Sequence, residues 1–303
     1  MLYFIHMIKK EILLSKIPFS HSLKDGTAIL DITTDGRYWR TSRLLGADLI
    51  RISAAQDIPV LISWISEKEQ DEYDILTQLF KEIENSSVII TYNGTAFDVP
   101  HLTRKAQAYA LFSPFSGKEF RDLFIEYKPL AILLGLPSRR LEDFSERLPS
   151  ASFLRNDAER LLAVTCFDSF ISFFRGSYRF VSAALERDVI IYSLSLRENV
   201  PFRVSLPDGP FYIILEGGLA KLSVRIIGGK LRRYYTNIKD YDYLPAEGCA
   251  IHKSMSAFVE KNRKEKAVRT NCFTLINYSG KLLEDNEDTA KYISSVLEYL
   301  YSR

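Results

Sequence analysis

The chain has 303 residues, 47% of them apolar and 26% charged, with 40 basic against 38 acidic side chains and a formal charge of +2. That length predicts about two domains. The composition is too apolar for a disordered chain and too balanced for a histone-like or strongly acidic protein. No apolar run approaches the roughly 18–20 residues that cross a bilayer. The first residues, Met1 to Leu14, put their basic pair after the apolar patch and offer no small-residue cleavage site. Neither a membrane span nor a signal peptide is expected.

The elements can be taken in order. Ala28–Ile32 reads as a strand that runs through Asp31 into a turn at Asp35-Gly36. Leu45–Ile52 and Pro59–Ile65 read as two more strands. Gln70–Ile83 carries Ile75, Leu76, Leu79, Phe80 and Ile83 on one helical stripe. Ser87–Tyr92 reads as a β-branched strand punctuated by Asn93-Gly94, and Asp98–Tyr109 as a helix. Phe120–Leu134 reads as helical with Pro129 as a kink, and Leu136-Pro137-Ser138 caps a further helix reaching Leu148. Residues 156–197 read as mostly helical. From Asn199 onward turn signals recur about every ten residues. Phe211–Leu215, Leu219–Ile227 and Leu231–Tyr235 lie between them as strands. A short helix near Ser254–Lys261, a strand near Asn271–Ile276 and a helix over Thr289–Leu300 complete the series. The expected fold is α/β, a mixed sheet with flanking helices over residues 1–198. A smaller β-rich domain follows over 199–303.

Three cysteines, Cys166, Cys249 and Cys272, are scattered and form no C-x-x-C pair. They predict reduced thiols in a cytoplasmic protein. The four histidines form no H-E-x-x-H or H-x-H pattern, which argues against a histidine-built zinc site.

Two carboxylates stand out. Asp31 lies at the end of a predicted strand, and Asp98 opens the helix after another. If those strands are neighbours, both carboxylates converge on one point, where they favour a hard divalent cation that phosphate can share. Read singly, Asp98 is an acid complementing a helix dipole and Asp31 a turn residue.

The order strand-Asp31, then Asn93-Gly94-Thr95-Ala96-Phe97-Asp98, then helices resembles the exonuclease branch of the ribonuclease-H-like superfamily. Its DEDD-type 3′–5′ members use four carboxylates and two metals. The stretch Phe120-Arg121-Asp122-Leu123-Phe124-Ile125-Glu126-Tyr127-Lys128-Pro129-Leu130, continuing to Leu141-Glu142-Asp143-Phe144, is similar to that of the YprB-like predicted exonucleases. The resemblance spans about residues 25–197. Residues 207–275 resemble an extension that some members carry. The resemblance implies a ribonuclease-H-like fold, Mg²⁺ or Mn²⁺ as cofactor, and nucleic acid, possibly single-stranded, as partner. It implies Asp31, Asp98 and Asp188 as catalytic metal ligands, with Asp168 as the alternative to Asp188. Thr33, Asn93, Phe97 and Asp122 are the implied substrate contacts.

The departures are informative. The family's Asp-x-Glu reads Asp31-Ile32-Thr33 here, so one carboxylate is missing. The third motif needs a His or Tyr before its Asp, yet Ala184 precedes Asp188 and Val164 precedes Asp168 at that spacing. Asp35 would act as a displaced ligand if the strand persisted, although its turn opposes this. Asp122 also reads as a helix N-cap. The expectation is a metal-dependent 3′–5′ exonuclease that is weakened or inactive. The alternative is a non-catalytic nucleic-acid-binding or scaffold protein.

Lys221 to Arg269 holds twelve Lys/Arg and five Asp/Glu, a local net of +7. Tyr234, Tyr235, Tyr241 and Tyr243 interleave with Lys230, Arg232, Arg233 and Lys239. Cations that neutralise phosphates and rings that stack on bases predict a single-stranded nucleic-acid surface. Half of those tyrosines are expected to pack inward instead.

Overall fold

The structure is a computed structural model describing residues 7–38, 40–53 and 56–302. The segment through His6, on which the signal-peptide expectation rests, lies outside them. Among the described residues no helix is long and apolar enough to cross a membrane, and none of the three cysteines is in a disulfide. The chain folds as two compact units. One holds the residues up to Ala131 and Leu136–Cys166. The other holds Ile132–Gly135 and the residues from Phe167 onward.

Up to Cys166 the elements are β1 (Ile8–Leu13), β2 (Thr27–Thr34), β3 (Leu44–Ser53), β4 (Gln56–Ile65), α1 (Asp71–Glu84), β5 (Val88–Thr91), α2 (Asp98–Ala108), β6 (Glu119–Asp122), α3 (Leu123–Glu126), α4 (Lys128–Leu133), α5 (Leu141–Ser145) and α6 (Asp157–Val164). The six strands form one sheet in the order β1-β4-β3-β2-β5-β6. The first three pairings are antiparallel, and β2–β5 and β5–β6 are parallel. The expected mixed sheet is therefore present, with its neighbouring Asp31 and Asp98 strands.

Alternation sorts the faces. Ala28, Leu30 and Ile32 of β2 join Leu49, Ile62 and Trp64 in a core that α1 closes with Ile75, Leu76, Leu79, Phe80 and Ile83. Each such large side chain contributes roughly 1.5–3 kcal/mol by leaving water. Residues of opposite parity, Ile29 and Asp31, point to the other face. There α6 packs against β2 and β3.

The second unit continues with α7 (Asp168–Phe174), β7 (Tyr178–Glu186), β8 (Val189–Leu196), β9 (Val204–Asp208), β10 (Phe211–Glu216), β11 (Leu219–Arg225), β12 (Lys230–Tyr234), β13 (Tyr241–Leu244), β14 (Cys249–His252), α8 (Lys253–Ser256), β15 (Glu265–Lys266), β16 (Phe273–Asn277) and α9 (Glu287–Tyr301). It holds an antiparallel sheet in the order β7-β8-β11-β10-β9, a pair β12-β16 and a small sheet β14-β13-β15. The β-rich expectation is met, but two helical expectations are corrected. Residues 178–196 form the β7–β8 hairpin, because Val189–Leu196 alternates with period two and buries every second side chain. The stretch beginning at Phe120 starts as β6, parallel to β5, before any helix forms.

Candidate carboxylate site

Asp31 sits in the middle of the sheet, directly opposite Asp48 of β3 in the antiparallel register. Its carboxyl is pushed up to about 8, first by burial and then by the charges of Asp98, Asp157 and Asp48. Asp98 is 6% exposed at the start of α2. Burial, and then the Asp122 charge, push it up to about 7. A carboxylate out of water with no cation beside it holds its proton longer.

The loop that delivers Asp98 is held from below. Asp122, the N-cap of α3, accepts from the backbone N–H of Asn93 at 2.7 Å, of Thr95 at 3.2 Å and of Phe124 at 3.1 Å, and from Thr95 Oγ1 at 2.5 Å. These bonds make Asp122 a clamp on the loop and match its reading as a helix N-cap. Asn93 adopts φ 63°, a left-handed conformation that asparagine tolerates. At Gly94 a Cβ would lie 2.5 Å from Thr91 Cβ and 2.7 Å from Asp98 Oδ2, so only glycine leaves the carboxylate its place. Phe97 is partly buried against the core, with its ring 5.7 Å from that of His101. Its inner side supports the start of α2 from the core.

Asp157 and Asp48 were not anticipated. Asp157 opens α6, where Asn156 Oδ1 caps Glu159 N at 2.8 Å and Glu159 returns a bond to Arg155 N at 2.7 Å. This reciprocal capping was legible as Asn-x-x-Glu. What it brings to the α6 face is a carboxylate near enough to raise Asp31 and Asp48. Asp48 accepts from Ser63 Oγ. Its carboxyl nevertheless lies above the ordinary value, first through burial. Registering the first two predicted strands would have found it.

The other expected residues are placed differently. Thr33 is exposed on β2 next to a bulge between Thr33 and Thr34. That bulge breaks the alternation before Asp35, whose Oδ1 accepts from Arg43 N at 2.6 Å. Asp35 therefore ties a loop and is no displaced ligand. Asp188 is exposed in the two-residue turn of the β7–β8 hairpin, not on a helix. Asp168 does open a helix, α7, and is buried. Both belong to the second unit. Among the described residues no three His, Cys, Asp or Glu side chains are grouped closely enough to hold a metal ion.

In the second unit most of the tyrosine pattern goes into packing. Tyr234 stacks on Tyr299 at 3.9 Å, and Tyr235 on Tyr241 at 4.2 Å. Lys264 pairs with Asp242 at 3.5 Å and Arg269 with Asp208 at 2.7 Å. Of the four tyrosines read as a base-stacking surface, Tyr234 is buried, and Tyr235 and Tyr241 are half-buried against Ala250, Ala267 and Cys272.

Residues 28–170 match a family model described as the RNase_H superfamily. Comparison with curated proteins finds no match. Among solved structures, a match to exonuclease I has 14% identity and a TM-score of 0.35, covering 57% of this chain and 55% of that one. This chain thus spans little more than half the length of that protein. The E. coli exonuclease I complex with a dA16 oligonucleotide gives 11% identity and a TM-score of 0.35, covering 92% of this chain and 72% of that one. The zinc-bound E. coli exonuclease I–ssDNA complex gives the same values. The family match over 28–170 and the sheet order β4-β3-β2-β5-β6, antiparallel then parallel, together give the first unit a ribonuclease-H-like fold.

Proposed function

We propose that this protein engages single-stranded nucleic acid at the Asp31 and Asp98 carboxylates, and that its hydrolytic power lies far below that of a metal-dependent 3′–5′ exonuclease. The supporting observation is that Asp98 is buried and Asp31 half-buried, that both are raised by neighbouring carboxylates, and that neither takes an ion-pair partner among the described residues. A fold keeps such a cost where a positive charge is to be received. No three His, Cys, Asp or Glu side chains are grouped as a metal site among the described residues, so Asp31 and Asp98 would hold one divalent cation as a pair, with Asp48 and Asp157 adding charge from the side. Mg²⁺ or Mn²⁺, when bound, polarises a phosphoryl oxygen and makes a bound water more acidic.

The chain's own residues set the limit on rate. Thr33 offers a neutral hydroxyl where the resembling family has a charge. The positions four and five before Asp157 are Phe153 and Ser152, so no imidazole or phenol stands there to take a proton. Losing a general base costs about 10²–10⁴-fold. Asp122 and Gly94 keep Asp98 in position, so binding outlives the lost chemistry.

The test is a time course with Mn²⁺ or Mg²⁺ on 5′-labelled single-stranded DNA and RNA beside Asp98→Ala. Cation-dependent binding with 3′ shortening at least about 10²-fold below an ordinary exonuclease supports the proposal. Ordinary exonuclease rates lost in Asp98→Ala would overturn the weakened chemistry, and absence of binding would overturn the whole reading.

A further inference from the structure

A cavity of about 470 Å³ opens in the first unit between the segment after β1 and the approach to α6. Leu13, Leu14, Ile17 and Phe153 make its apolar wall, and Ser15, Lys16, Ser152 and Arg155 its polar rim, with Glu159 at the base. Phe153 is 64% exposed, and so is Leu13, which is unusual for large apolar side chains. The Arg155 side chain is 73% exposed, and its Nε reaches Glu159 only at 3.9 Å. Glu159 itself is occupied by Arg155 N at 2.7 Å. The rim therefore offers two cations and two hydroxyls, above an exposed ring.

We infer that this cavity takes one nucleotide of a single strand, its base against Phe153 and its phosphates between Lys16 and Arg155. The inference rests on the proposed function and deepens it. The segment from Phe153 to Asp157 gives Phe153 and Arg155 to the cavity wall and rim, and it ends on the Asp157 carboxylate whose charge reaches Asp31. A strand seated here is held by the segment that builds the acidic site. Charge complementarity selects the occupant: two exposed cations on an apolar wall suit an anionic backbone bearing flat bases. The volume lies within the range of small-ligand sites.

The experiment measures binding apart from hydrolysis. Fluorescence anisotropy of a 5′-fluorescein-labelled, hydrolysis-resistant phosphorothioate oligothymidylate is followed in Mg²⁺ over a salt series, for the full chain and for the Lys16→Ala/Arg155→Ala and Phe153→Ala variants. The expected loss for the double variant is about tenfold or more, with the salt slope reduced by about 1.4 for two phosphate contacts. Phe153→Ala loses about tenfold with the slope unchanged. Lys16, Phe153 and Arg155 are all exposed, and thermal melting confirms that the variants fold. Parent-like affinity and slope in the double variant overturn the inference even if the cation-dependent time course succeeds. Loss of binding in these variants sustains it even if no hydrolysis is ever seen.

Discussion

Two buried acidic regions in the first unit are treated in opposite ways. Glu72, on α1, is 4% exposed and fully served. It accepts from Lys105 Nζ at 3.1 Å, from Tyr109 Oη at 2.6 Å and from Leu44 N at 2.8 Å. Burial would raise its carboxyl, but these partners outweigh burial and hold it below the ordinary value. Asp98, 6% exposed, and half-buried Asp31 have no such partners, and their carboxyls are pushed up to about 7 and about 8. Where the fold needs a carboxylate only as a fastener, tying α1, α2 and β3 together, it supplies the counter-charge itself. At Asp31 and Asp98 it withholds that charge, and this difference, not burial alone, marks a candidate site.

The comparison can be broken or sharpened by substitution. Glu72→Gln leaves the Lys105 ammonium buried without its partner and is expected to cost about 3–5 kcal/mol, read by denaturant unfolding. In the parent, the Glu72 contribution is present above the ordinary glutamate value and is lost as pH falls through its depressed folded value. An acid-side melting series should show that loss, and Glu72→Gln should flatten it. Gly94→Val forces a branched side chain onto Thr91 and the Asp98 carboxylate. A loss of about 2–3 kcal/mol is expected, together with loss of cation-induced stabilisation.

Asp31→Asn should act in the opposite direction. Its folded carboxyl keeps a proton between the ordinary value of 3.8 and about 8, so the parent's stability falls as pH rises through that window. In EDTA at pH 8 or above the variant is expected to be more stable by about 1–2 kcal/mol, with no difference below about pH 4. A destabilised variant at pH 8 would mean that Asp31 has a partner after all. The smallest effect is expected in the second unit. Tyr235→Phe keeps the ring stacked on Tyr241 and should change stability by less than about 0.5 kcal/mol and oligonucleotide affinity by less than about twofold. A large loss of affinity there would mean that the Tyr235 hydroxyl itself contacts the nucleic acid.

The strongly periodic elements were legible in the sequence. These were β2, β3, β4, α1, β5 and α2, along with the Asn93 to Asp98 loop. The hairpin of β7 and β8 was not, because its turn is Arg187-Asp188. Arg187 takes φ 56° without a glycine or asparagine to announce it. The strand β6 is four residues long with three of them charged, too short for any period to register. Asp31 and Asp98 could be read from local order. Asp157 could not, since its own neighbourhood reads as a helix cap. Only packing of α6 on β2 and β3 turns that cap into part of a distant acidic cluster. Asp48 required the hairpin register, which depends on the bulge beside Thr33.

The strand β1 has a consequence of another kind. It pairs along β4 from Val60 to Ile65, and its own residues Ile8, Lys9, Lys10 and Glu11 are exposed. The edge it covers runs Val60-Leu61-Ile62-Ser63-Trp64-Ile65, uncharged and rich in β-branched and aromatic side chains, the composition that recruits a second chain into a growing stack. With β1 in place, the outermost strand presents two lysines and a glutamate to any incoming backbone, and such charges discourage intermolecular pairing. The short strand that borders the cavity thus also serves as a guard against self-association, and a chain trimmed past Leu13 would lose solubility before it lost its fold.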